Sequence, residues 1–244
     1  MNAVVKSGWS KYYLTSRIDS LKATNEFSGI NFYAGVFTEI GMLDVKWDRV
    51  LSSFNSDGDV SLIANASFKF NNDVFSCLNI SGGLAELAPE ATAEFYVSNH
   101  FIWNNNFKKE KFAWIKPSLG FLNNRFLLFA HLTQVDNYIY FNDRALPQQG
   151  NEKVEIVSAG MKMDVVLRHW RMVAELRSMN ASKGFVRLPD WGAYGRFSYR
   201  SRFLKKALLA EFGVAIATVA EWKGYAFMPA TGAQYLQSDR LIGR

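Results

Sequence analysis

The chain has few residues of the kinds that carry catalysis or hold metals. Its three histidines, His100, His131 and His169, are widely spaced, and none has a Cys, Asp or Glu beside it at ligand spacing. A metal centre needs several ligands converging on one ion, so neither a metal nor a cofactor is expected. The lone Cys77 cannot form an internal disulfide and leaves the redox compartment open. Gly82-Gly83 reads as a turn, not a phosphate cradle, and no GxSxG, Walker A or Rossmann fingerprint occurs. Glu175 and Glu211 could be offered as an acid–base pair of the glycosidase kind. Any array of neighbouring strands brings carboxylates together, however, so no catalytic residue and no enzyme is expected.

The positive chemistry lies in charges set between apolar residues. At mid-membrane a lipid-facing Arg or Lys costs roughly 2–4 kcal/mol, so charges alternating with apolar residues would have to point into a polar interior. Lys69, Glu94, His100, Arg171, Glu175, Arg177, Glu211 and Glu221 are the candidates for lining it. Both signs are present, so these groups are expected to pair in a lattice more than to select one ion.

The stretch that decides how such residues are positioned is 207–222, almost uncharged. As a helix it is too short and too interrupted by Glu211, Gly213 and Glu221 to cross a bilayer, which takes about 20 apolar residues. As a strand it sorts by alternation. Leu208, Ala210, Phe212, Val214, Ile216, Thr218, Ala220 and Trp222 share one face. Leu209, Glu211, Gly213, Ala215, Ala217, Val219 and Glu221 share the other. An apolar face as long as a membrane-crossing strand, about 9–11 residues, places lipid on one side and a polar interior on the other.

Composition agrees. Aromatics make up 15% of 244 residues, which favours pleated surfaces. A mean hydropathy of −0.08 is too polar for a helical membrane protein but suits a barrel, whose strands keep one side wet. Net charge is +6, yet Lys and Arg are scattered apart from pairs such as Lys108-Lys109 and Lys205-Lys206. Nucleic-acid binding would want them clustered with stacking aromatics, so it is not expected. The first residues, MNAVVKSGWSKYYL, have no apolar core of the secretory kind; either the chain is not exported or its true beginning is missing.

Taken in order, 1–14 reads as half a strand and Thr15 to Glu26 as a loop. Ile30 to Glu39, Leu43 to Phe54 and Val60 to Phe70 read as strands, with turns at 55–58 and 71–73. Val74 to Ser81 starts back, and Gly82 to Pro89 is a looser connection. Ala91 to Trp103, Phe112 to Leu122 and Arg125 to Phe141 read as further strands, then Val154 to Asp164, Val166 to Met179 and Trp191 to Tyr199. Tyr225 to Gly232 reads as a turn, and Gln234 to Ile242 as the start of another strand. Pro117 alone falls inside a strand, marking a bulge or a strand end. About ten strands in successive hairpins predict an up-and-down antiparallel order.

Several blocks resemble the outer-membrane "putative porin" family of Bacteroidota: SNHFIWNNNFKK (98–109), DNYIYFND (136–143), VRLPD (186–190), RFLKKALLAEFGV (202–214) and YAFMPATGAQYLQ (225–237). They occur in the family's order over the second half to two-thirds of the chain. The resemblance implies an all-β fold, an antiparallel up-and-down transmembrane β-barrel in the cell outer membrane, passing small hydrophilic solutes passively. It carries no catalytic residues. Family members are longer, with a leader and further strands, so this chain is expected to be a fragment of such a barrel, a single partial domain over 1–244. Outer-membrane lipid and small hydrophilic solutes are the implied partners, with a homo-oligomer left open. A non-conducting barrel serving as scaffold in an envelope complex is the first rival, and a soluble β-sandwich that binds glycans the second.

Overall fold

The computed structural model describes the backbone of residues 2–18, 21–52, 58–70, 74–204 and 207–243, and side chains over 32–49, 58–70, 74–202, 204, 207–238 and 240–243. In chain order the elements are β1 (Asn2–Ile18), β2 (Leu21–Phe37), β3 (Gly41–Ser52), β4 (Val60–Lys69), β5 (Phe75–Leu87), a single helical turn α1 (Ala91–Glu94), β6 (Phe95–Val97), β7 (Ile102–Asn104), β8 (Glu110–Phe121) and β9 (Phe126–Asp136). There follow β10 (Ile139–Phe141), β11 (Pro147–Gln149), β12 (Val154–Leu167), β13 (Trp170–Ala181), β14 (Trp191–Phe203), β15 (Leu208–Val219), β16 (Trp222–Met228) and β17 (Ala233–Ile242).

The fold is all-β. Eleven long strands form one sheet in the order β1-β2-β3-β4-β5-β8-β9-β12-β13-β14-β15, every neighbouring pair antiparallel. This is an up-and-down meander, the order that hairpins between alternating strands produce by default. The sheet does not close: among the described residues β1 and β15 each pair on one side only. No described helix is long and apolar enough to cross a membrane, which says nothing of crossing by strands.

The two ends of the strands differ. At one end they are joined by the short connections 38–40, 70–74, 122–125, 168–169 and 204–207. Tight turns need left-handed backbone, and Asn123 and Asn124 supply it at φ 58° and 62°. At the other end run the long connections 88–109, 137–153 and 182–190, with β16 and β17 beyond them. These fold into a second, four-stranded sheet, β11-β10-β17-β16, and the small β6-β7 hairpin.

Several expectations need correcting. Thr15 to Glu26 is not a loop: β1 and β2 pair in register from Asn2↔Phe37 to Ile18↔Leu21. Gly82-Gly83 is not a connection either, since β5 runs through both, opposite Ile115 and Trp114. Ala91 to Trp103 is not one strand but α1 followed by two strands of three residues. Arg125 to Phe141 breaks at Asn137, whose φ is 61°, and Tyr225 lies in strand β16, not in a turn. Pro117 does sit within a strand. It pairs with Ile80 on the β5 side, while on the β9 side the ladder passes from Ile115↔Leu132 to Ser118↔Phe129 and omits it, as a residue without an N–H requires. The turn expected at 71–73 and most of that at 55–58 lie outside the described residues; Gly58, at φ 70°, is within them.

Candidate functional site

Register assigns every described strand residue to one of two faces, because directly paired residues share a side. On one side Val214 faces Phe197, then Met172, then Val165; Thr218 faces Ala193, then Leu176, Met161, Leu128, Leu119, Leu78 and Phe68. This face is apolar and open. Phe212, Val214 and Ile216 are 65%, 67% and 72% exposed, so among the described residues no second layer covers them. Aromatics gather on it toward the short-turn end: Phe75 packs on Phe70 and Phe121, with ring centroids 6.3 and 5.3 Å apart, and Trp170 lies 4.7 Å from both Phe197 and Tyr199. Trp47 and Trp191 stand on the same face toward the long-loop end. An apolar band edged by aromatics at both ends is the lipid-facing pattern of a membrane barrel.

The opposite face is polar. One row crosses eight strands as Ala217, Tyr194, Glu175, Lys162, Leu127, Gly120, Cys77 and Lys69. On β3 to β5 its groups are mostly neutral. Asn65 donates to Asp44 at 3.0 Å and accepts from Ser81 at 2.7 Å, and Ser67 donates to Asn79 at 2.7 Å. On β12 to β15 they are charged. Arg171 donates Nε and Nη2 to Asp164 at 2.9 and 2.6 Å; Arg177 reaches Glu175 at 3.2 Å and lies over the Phe129 ring; Arg196 pairs with Glu211. Two aromatics on this face are received by glycines of the neighbouring strand, Trp114 by Gly83 and Phe129 by Gly160.

The long loops converge at one end of this face. Trp103, 8% exposed, donates Nε1 to Thr92 at 2.9 Å and packs edge-on against Phe141. Tyr138 and Tyr140 stack on Phe185 at 5.8 and 4.4 Å. Tyr225 donates its hydroxyl to Phe185 O at 3.0 Å and accepts from Arg187 N at 3.1 Å. Gln149 bridges Lys108 and Asn137, and Tyr96 donates its hydroxyl to Ala230 O. Burial, with Tyr225 and Glu110 close by, pushes the Tyr138 phenol up to about 12.

Four of the five sequence blocks, 98–109, 136–143, 186–190 and 225–237, lie in this cluster. They also touch one another, Trp103 on Phe141, Arg187 on Tyr225 and Phe141 on Tyr235. The family described as "Putative porin" matches residues 13–244. The chain belongs to that porin family. No curated protein and no solved structure matches it.

In this porin-family chain the sequence candidates divide. Arg171, Glu175 and Arg177 of β13 and Glu211 of β15 are brought onto the polar face, with β14 between them, and Lys69 stands at the end of β4 on the same face. Glu94, His100 and Glu221 are not on a long strand, so the alternation that placed them in an interior does not apply. Glu94 ends α1 and accepts from Phe107 N at 2.8 Å; His100 is exposed between β6 and β7; Glu221 is exposed between β15 and β16. Glu175 and Glu211 each pair with an arginine rather than with each other. Among the described residues no three His, Cys, Asp or Glu side chains come together as a metal set. Sequence reading missed Asp164, Arg196 and the Asn65 network, all of which the same alternation would have found. It also missed the loop cluster, for which the ordered blocks were the available signal.

Proposed function

We propose that this chain forms part of the wall of an outer-membrane β-barrel through which small hydrophilic solutes diffuse passively. In this reading the apolar face meets outer-membrane lipid and the polar face lines a water-filled path whose width and charge set what passes. The observation that carries it is the segregation of the sheet. From Leu43 to Ile216 the strand middles of one face hold no Asp, Glu, Lys or Arg, while the other face holds linked amides, hydroxyls and ion pairs. The asymmetry of short turns at one end and long loops at the other is also that of an outer-membrane barrel. A soluble β-sandwich would need a second sheet over Phe212, Val214 and Ile216, which stand open.

A second reading is a barrel that serves as a scaffold in an envelope complex and conducts nothing. What favours it is the loop cluster: loops packed into their own four-stranded sheet with stacked aromatics suit an ordered contact surface as well as a pore mouth. Recording the full-length protein in planar lipid bilayers separates the two. Discrete current steps are expected; a protein that inserts and gives none at any voltage supports the scaffold and removes the channel.

A further inference from the structure

The ion pairs of the polar face do not balance. Six carboxylates of β3 to β15 point to that side, and each is engaged: Asp44 by Asn65, Asp48 by Lys46, Glu110 by the Ile139 amide, and Asp164, Glu175 and Glu211 by arginines. Five cations of the same face, Lys69, Lys116, Lys162, Arg200 and Arg202, are exposed and make no ion pair with any described residue. Arg200 shows how this arises. It stands directly opposite Glu211, yet Glu211 is taken by Arg196 from four register positions away.

We propose that this face makes the interior selective for anions, favouring small oxyanions such as carboxylates and inorganic phosphate over cations of similar size. This rests on the channel reading above and adds the sign of the solute. A carboxylate bound to an arginine has spent most of its field locally, whereas an exposed guanidinium or ammonium without a partner projects into the water in front of it. A low-dielectric wall focuses that field and raises the local concentration of the opposite charge. Rings of Arg and Lys serve anion pores in the same way. Hydrogen bonds from Asn65 and the Ile139 amide do not neutralise Asp44 and Glu110, so the face sets nine Lys and Arg against six carboxylates. The surplus of three lies on β12 to β15, where Lys162, Arg200 and Arg202 stand beside the three arginine–carboxylate pairs.

The test is the reversal potential of the full-length protein in a planar bilayer under a potassium chloride gradient. A chloride preference of roughly threefold or more is expected. Replacing the unpaired cations together (Lys162→Gln, Arg200→Gln, Arg202→Gln) should bring that preference down toward parity with the current steps retained. The charge-keeping pair Arg200→Lys, Arg202→Lys should preserve it, which separates loss of charge from loss of fold. Steps with a potassium preference, or with no preference, would overturn the proposal and leave the channel standing. No steps at all from inserted protein would overturn the channel and the anion preference together.

Discussion

On their polar faces β3 to β5 and β12 to β15 solve one problem in two ways. Asn65 lies directly opposite Asp44 on one neighbour and Ser81 on the other, and Ser67 directly opposite Asn79; each hydrogen bond follows the register. Arg171 lies opposite Val166 but bonds Asp164, and Arg196 lies opposite Ala215 but bonds Glu211. Short side chains reach only the residue across from them, so the first network depends on the register and in turn specifies it. Long guanidinium side chains span several positions and hold no strand to one alignment. The first region is built for order, and the second keeps its cations exposed to water. Asp44 is 7% exposed, whereas the side chains of the Arg171–Asp164 pair are 44% and 33% exposed.

The comparison assumes that both regions share one environment on their other face, and the largest expected effect tests this. Val45 on β3 and Ile216 on β15 both belong to the apolar face. Val45→Arg and Ile216→Arg should each destabilise the full-length protein in lipid bilayers by roughly 2–4 kcal/mol, read from urea unfolding. If one variant were silent, that half of the sheet would not face hydrocarbon and the two halves would not belong to one membrane wall.

How much of this was legible in sequence depended on how local the cause is. Val60 to Phe70 and 207–222 alternate because the surroundings on either side of a strand sort each residue separately, so their strands could be read without a partner. The same rule sets Arg171, Glu175, Arg177 and Glu211 on one face, and the register has them there. Gly82-Gly83 misled because glycine signals a turn locally, whereas here Gly83 gives its side-chain space to Trp114 of the next strand. Thr15 to Glu26 is mostly polar, with only Ile18, Leu21 and Ala23 interrupting, which hid a hairpin fixed by pairing. The segment 91–103 alternates like a strand, but α1 and the β6-β7 hairpin are set by contacts such as Trp103 with Thr92 and Phe141, which no spacing reveals. The same false alternation drew in Glu94 and His100.

The seams between the two regions offer a sharper test of intermediate size. Gly83 receives the Trp114 ring, and Gly160 receives Phe129 under Arg177. A methyl group at Gly83 would run into the indole and the Leu62 carbonyl; one at Gly160 would meet Phe129 and the Leu176 carbonyl. Gly83→Ala and Gly160→Ala should therefore each cost about 1–3 kcal/mol, the usual penalty for overpacking, with urea midpoints as the measure. Equal losses would show the sheet responding as one unit across the boundary. A loss at Gly83 alone would show that the arginine side yields while the amide side does not.

The smallest expected shift in stability, at Glu211, separates the two regions most directly when set beside a change at Asn65. Asn65→Ala removes the donor that holds Asp44 and the acceptor that Ser81 uses, leaving a carboxylate with little access to water. A loss of about 1–3 kcal/mol follows from stranding a buried polar group, visible as a lower unfolding midpoint with ion selectivity unchanged. Glu211→Gln acts in the opposite sense. It removes one carboxylate from an exposed pair, where solvent already screens the attraction, so the unfolding midpoint should stay where it is. It also releases Arg196 beside Arg200, so chloride preference should rise. If Asn65→Ala shifted selectivity and Glu211→Gln shifted stability, the division between an ordering network and a field-setting one would be wrong, and both halves would do the same work with different side chains.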